Sequence, residues 1–144
     1  MKKSVVFSLV VFFSMFFNAQ SQSVIGKWKT IDDETGKPKS VVEIYEKSGK
    51  IYGKVVEIFD ANKKNKVCDE CSGDDKNKPI LGIMVIKGLR KDGKEYNDGQ
   101  ILDPNNGKLY KCFITLEEND KLKVRGFIGI SLIGRTQYWY RIKN

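Results

Sequence analysis

A single antiparallel up-and-down β-barrel of about eight strands is the fold the sequence predicts, on three observations. From Gly26 onward, short apolar runs recur and each is closed by a turn signal; that rhythm marks a β-meander. Beyond the first twenty residues no stretch carries a helical apolar period, so no helix is expected to cover an open sheet. Closure of the sheet then removes the exposed edges that would otherwise template association. The length of 144 residues, 40% hydrophobic and 31% charged, suits one globular domain, expected over residues 20–144.

The first element is an export leader over residues 1–19. Lys2 and Lys3 form a basic start, an apolar run extends from Val5 to Phe17, and Asn18-Ala19-Gln20-Ser21 is small and polar. The run is shorter than the roughly 20 residues a membrane-spanning helix needs. Cleavage is expected after Ala19, with periplasmic localisation, or release from the cell as the alternative. No cysteine stands near the junction to accept a lipid.

Eight strands follow in order. Gly26 to Ile31 is the first and ends at the turn Asp33-Glu34-Thr35-Gly36. Val41 to Glu46 and Ile51 to Phe59 flank Lys47-Ser48-Gly49-Lys50, a hairpin turn. Ile80 to Leu89 is apolar nearly throughout, which places it either under cover on both faces or in a tight barrel wall. Asn97 to Leu102 meets Leu109 to Glu117 across Asp103-Pro104-Asn105-Asn106-Gly107, where Pro sets one φ and Gly admits a positive one. Lys121 to Phe127 and Arg135 to Lys143 complete the set.

Alternation assigns faces. Tyr110, Cys112, Ile114 and Leu116 share the inner face of the sixth strand, and Leu122 and Val124 that of the seventh. The third strand is ambiguous: one phase brings Glu57 inside with Ile51 and Val55, the other brings Lys54 inside with Tyr52, Val56 and Ile58. Lys27, Lys29, Lys54, Lys87, Lys111, Lys121 and Lys123 alternate with apolar residues as the wet outer face of a sheet.

Composition excludes several chemistries. The chain has no histidine, which removes the Ser-His-Asp triad, the Cys-His pair and His-ligated zinc or haem. Its net charge of +8 comes mostly from scattered lysines, not from arginines interleaved with stacking aromatics, so nucleic acid is not an expected partner. Attraction to an acidic envelope surface is the sharper reading of that charge. No cofactor or metal is expected, and the chain is not expected to be an enzyme.

Two resemblances add to this. Gly26-Lys27-Trp28 is similar to the Gly-x-Trp that opens the first strand of lipocalin-like proteins, where the Trp packs near an Arg of the last strand; Arg141 is the matching residue. Over nearly the whole exported chain, several motifs together resemble the bacterial family known as domain of unknown function 2147. They are Gly26-Lys27-Trp28, Cys68-Asp69-Glu70-Cys71, Lys78-Pro79-Ile80-Leu81-Gly82, Asp98-Gly99-Gln100-Ile101-Leu102-Asp103-Pro104, Gly107-Lys108-Leu109-Tyr110, Gly126-Phe127-Ile128-Gly129 and Gly134-Arg135-Thr136-Gln137. Tyr138 and Tyr140 depart from the smaller residues, such as Thr, expected beside Trp139. The resemblance implies a lipocalin-like barrel in the bacterial envelope and brings no established activity.

Three features are candidates for chemistry. Cys68 and Cys71 stand in C-x-x-C spacing, open to a disulfide, a redox pair or half a metal site. No helix signal follows them to lower a thiol pKa, and zinc would need Cys112 and a carboxylate as well, so a disulfide is favoured. The connection from Asp60 to Pro79 lacks periodicity and is long enough to be a lid over the barrel mouth or a solvated loop. Asp98, Asp103, Arg135 and Arg141 could orient a polar ligand, although Asp103 is also an ordinary turn residue and Arg141 can brace the barrel by stacking on Trp28 or Trp139.

An eight-stranded barrel is just wide enough to be filled by its own side chains or to hold one small ligand. The expected function is therefore non-catalytic binding of a small lipophilic or amphipathic molecule. Its expected wall is Trp28, Ile44, Tyr110, Ile114, Val124 and Trp139, with Arg135 or Arg141 as polar anchor. The alternative is a filled barrel that acts as a structural or protein-interaction module.

Overall fold

The computed structural model describes residues 23–143; the expected leader, Met1 to Ala19, lies outside them. Eight strands form one closed barrel: β1 Gly26–Ile31, β2 Pro38–Lys47, β3 Lys50–Ile58, β4 Met84–Asp92, β5 Glu95–Asp103, β6 Lys108–Glu118, β7 Lys121–Phe127 and β8 Gly134–Arg141. Every strand pairs antiparallel with its neighbours in sequence. The ring closes where Trp28 faces Arg141 and Lys29 faces Tyr140. No helix among the described residues is long and apolar enough to cross a membrane. Charged residues such as Lys27, Lys54, Lys111 and Glu117 stand on the outer wall, while the buried core is apolar. That is the reverse of a membrane-spanning barrel, whose outer band must be apolar.

β1 and β7 match the sequence reading, β2, β5, β6 and β8 shift at their ends by one to three residues, and β3 and β4 differ in kind. The third buries neither Glu57 nor Lys54: a bulge opposite Val41 and Val42 pairs Glu57 with Val41 and Val55 with Val42, leaving Val56 as the extra residue. The bulge switches the phase in mid-strand, so Ile51, Val55 and Ile58 are all buried while both charges stay exposed. The fourth begins at Met84, not Ile80. Gly82 takes φ 94° and donates to Val55 O, so Ile80 to Ile83 form a corner and Ile83 is buried beneath it. Further along β4, Val85 and Ile86 are consecutive and both buried, the two-sided cover expected of so apolar a run.

What covers the outer side is the β3–β4 connection. It is ordered by a Cys68–Cys71 disulfide, a Val67–Pro79 bridge and backbone bonds from Cys68 N to Lys78 O and from Asn77 N to Cys68 O. Asp75 pairs with Lys87 on the outside of β4, and Cys68 Sγ lies 3.6 Å from Pro104 O on the β5–β6 turn. Gly107 in that turn has φ 70°, and a Cβ there would run into the Glu70 carbonyl. Of the two expected alternatives, lid or solvated loop, neither describes it: the connection is a clasp on the barrel's flank, and only its stem reaches the mouth.

Candidate functional site

On β1, β2 and β7 the inward-facing side chains shrink along the barrel. From the end where β1 starts and β8 finishes toward the other end, β1 presents Trp28 then Thr30, β2 presents Ile44, Val42 then Ser40, and β7 presents Leu122, Val124 then Gly126. Bulky residues therefore fill one half. Small ones leave a cavity of about 890 Å³ in the other, opening between the β1–β2, β3–β4, β5–β6 and β7–β8 connections. Its walls include Val42, Val55, Val85, Ile101, Tyr110, Val124 and Trp139. An apolar cleft of this size is what a small-molecule site requires, typically about 300–1,000 Å³.

Polar groups gather at the mouth. Thr30 Oγ1 and Ser40 Oγ lie 2.7 Å apart across β1 and β2. Trp139 Nε1 donates to Gln137 Oε1 at 3.3 Å, Gln137 Nε2 donates to Asp33 at 2.9 Å, and Arg135 pairs with the same carboxylate at 2.7 Å. This chain ties the β1–β2 turn to β8. Asn106 Nδ2 donates to Tyr110 Oη at 2.9 Å, so the phenol is held from the β5–β6 turn. Asp32 accepts from the backbone N–H groups of Thr35 and Glu34, which hold its carboxyl below the ordinary carboxylate range. Lys37, Lys39, Lys63 and Lys66 also line the rim, and among the described residues none of them forms an ion pair.

The opposite end is closed. Trp28 is fully buried and donates from Nε1 to Val24 O at 2.8 Å, drawing the segment before β1 across the barrel floor. The Arg141 guanidinium lies 4.3 Å from the Trp28 ring centre and donates to Asn119 O, Ile25 O and Ser23 O. One side chain thereby joins the N-terminal segment, β8 and the β6–β7 turn. Gly26 has φ 136°, and a Cβ there would meet Arg141 Nη1 at 3.0 Å, so both the backbone and the guanidinium ask for glycine.

The expected wall residues divide between these ends. Tyr110, Val124, Arg135 and Trp139 line the cavity; Trp28, Ile44, Ile114 and Arg141 do not. Ile44 and Ile114 are buried in the core cluster with Trp28, and Arg141 is the floor brace, outside the cavity lining. Arg135 stands at the mouth with its charge already met by Asp33. Asp103 lies on the rim as a turn residue, accepting from Asn105 N, and Asp98 lies away from the cavity. Missed by the sequence reading were Thr30, Ser40, Val42, Val55, Gly126 and Gln137; the signal for most of them was small size at inward positions.

Cys112, between Tyr110 and Ile114 on β6, is a free, buried thiol. Burial pushes its pKa up to about 12, which leaves it un-ionised and poorly nucleophilic. Among the described residues no group of three or more acidic or cysteine side chains could hold a metal ion.

The comparisons with known proteins agree with this architecture. Residues 26–141 match the model of a family described as an uncharacterised protein conserved in bacteria, DUF2147. The chain belongs to that family. Among solved structures, it is similar to HP1028 from Helicobacter pylori, which is described as belonging to the lipocalin family. The TM-score is 0.74 with 22% sequence identity, covering 85% of this chain and 84% of that one. At that identity the likeness concerns the fold: this DUF2147 chain is a lipocalin-like barrel. No curated protein matches it.

Proposed function

We propose that this DUF2147 barrel is an exported, non-catalytic binding protein of the bacterial envelope that holds one small lipophilic or amphipathic molecule in its open half. The observation that carries the reading is the cavity of about 890 Å³, with apolar depth and a polar rim. Such a shape suits a ligand whose hydrocarbon portion enters first and whose polar end stays at Thr30, Ser40 and the rim lysines. A barrel with this much space favours a carrier over the filled structural module. Non-catalytic action is supported by the absence of histidine and by the engagement of four of the five rim carboxylates, Asp32, Asp33, Asp60 and Asp103, in turns and an ion pair. The leader sequence supports export, and the lysine-rich exterior suits peripheral contact with acidic envelope surfaces.

Mass spectrometry of molecules released from the protein, purified natively from its own envelope, tests the reading. A single class of amphiphile at near-stoichiometric amount is the expected result. Titration with a fluorescent fatty acid gives the second arm: Tyr110→Ala and Trp139→Ala are expected to weaken uptake more than stability. Absence of saturable uptake, with both truncations unfolding the protein, would instead support the filled-core alternative.

A further inference from the structure

The β7–β8 connection is the most apolar exposed surface among the described residues. Ile128, Ile130, Leu132 and Ile133 are 63%, 59%, 84% and 64% exposed within one short loop. Aliphatic side chains clustered in this way mark an interaction site, since an isolated domain gains nothing by holding them in water. The loop is shaped, with Ile128 N bonded to Ile133 O, Ile133 N to Ile130 O and Arg125 Nε to Ser131 O. Ile128 and Ile133 line the cavity mouth, whereas Ile130 and Leu132 lie outside its lining. Also at the mouth is the start of the β3–β4 connection, where Phe59 is 42% exposed and Lys63, Lys64 and Lys66 follow within a few residues. Lys63 and Lys66 line the same rim, and the one acidic group of that stretch, Asp60, is engaged in capping Asn62 N.

We propose that this end of the barrel docks on an anionic lipid bilayer, with Ile130 and Leu132 entering the acyl boundary and Lys63, Lys64 and Lys66 meeting the headgroups. Apolar insertion and basic attraction are the two contributions that together hold a peripheral protein at a membrane. The cavity mouth then faces the bilayer, and an amphiphile passes between membrane and barrel without crossing water. Docking deepens the binding reading but does not require it, because Ile130 and Leu132 lie outside the cavity lining.

The test uses the exported protein, its processed N-terminus fixed by intact mass, floated with phosphatidylglycerol–phosphatidylcholine vesicles and with phosphatidylcholine vesicles. The wild type is expected to float with the anionic vesicles. The double variant Ile130→Asp/Leu132→Asp is expected to lose at least roughly tenfold in partitioning with unchanged melting temperature. Lys63→Glu/Lys66→Glu is expected to lose binding to the anionic vesicles selectively. Wild type that floats with neither vesicle, or a loop variant that floats like wild type, overturns the proposal. So does loop-dependent self-association in sedimentation velocity without vesicle binding, which would make the loop an interface between copies. Fatty-acid uptake from solution, measured on the same loop variant, is expected to persist; its loss in the wild type as well would count against the cavity reading alone.

Discussion

The two ends of the barrel are built from the same strands with the same alternation, yet one is a plug and the other a container. At the floor, Trp28, Ile44, Leu89, Ile114 and Leu122 are all at most 1% exposed and interlock beneath the Arg141 brace. Toward the mouth the inward positions of β1, β2 and β7 carry Thr30, Ser40, Val42, Val124 and Gly126, which are too small to meet Ile101 and Tyr110 across the lumen. Hydrophobic patterning thus closes the sheet, and side-chain volume decides whether the closed sheet encloses space. The floor provides stability so that the mouth can go unfilled.

The sharpest way to break this contrast is at the floor. Trp28→Ala is expected to cost about 3–5 kcal/mol by leaving a cavity and stranding the Arg141 guanidinium, and Ile114→Ala about 2–5 kcal/mol; urea unfolding measures both. A mid-sized effect belongs to the flank. Cys71→Ser should cost about 2 kcal/mol, the loop entropy of so short a bridge, and should loosen the β5–β6 turn without lowering the β-content read by circular dichroism. Smallest of the three is Val124→Trp at the mouth. It is expected to change stability by less than about 1.5 kcal/mol, because the added ring enters existing space instead of overpacking a filled core.

Cys112 sharpens the comparison through pH. Its native pKa of about 12 lies above the roughly 8.5 of an unfolded thiol. Between those values the unfolded chain has released the proton and the native chain keeps it, so stability falls as pH rises through that window and is unaffected below it. Cys112→Ala is expected to flatten this slope relative to wild type in alkaline urea titrations. An equal slope in both proteins would mean that solvent reaches the thiol from the cavity above it.

Much of the fold is legible in the sequence because turn chemistry and period-two alternation are local. β1 and β7 fall at the expected bounds, and the Lys47 to Lys50 hairpin forms with Ser48 and Gly49 both at positive φ. The errors sit where local rules are overridden. Ile80 to Ile83 looks like strand by composition, and the left-handed Gly82 that ends the pattern acts through a tertiary bond to β3. In β3 a bulge moves Glu57 and Lys54 out together, a solution that no single-phase reading contains. The site was half legible for a related reason. Alternation shows that Ile114 and Tyr110 face inward, but which end each occupies depends on register around the ring. Only the latter lines the cavity. Arg141 beside Trp28 was readable as a brace, and the structure places it there, outside the cavity lining.

The central claim, that the open half holds a ligand and the closed half holds the fold, is tested most directly by titrating one fluorescent fatty acid into wild type, Val124→Trp and Ile114→Val. Saturable one-to-one binding by wild type, its loss in Val124→Trp while that variant stays folded with a melting temperature within several degrees of wild type, and its retention in the destabilised Ile114→Val are the predicted results. Undiminished binding by Val124→Trp, or no saturable binding by wild type, would contradict the account.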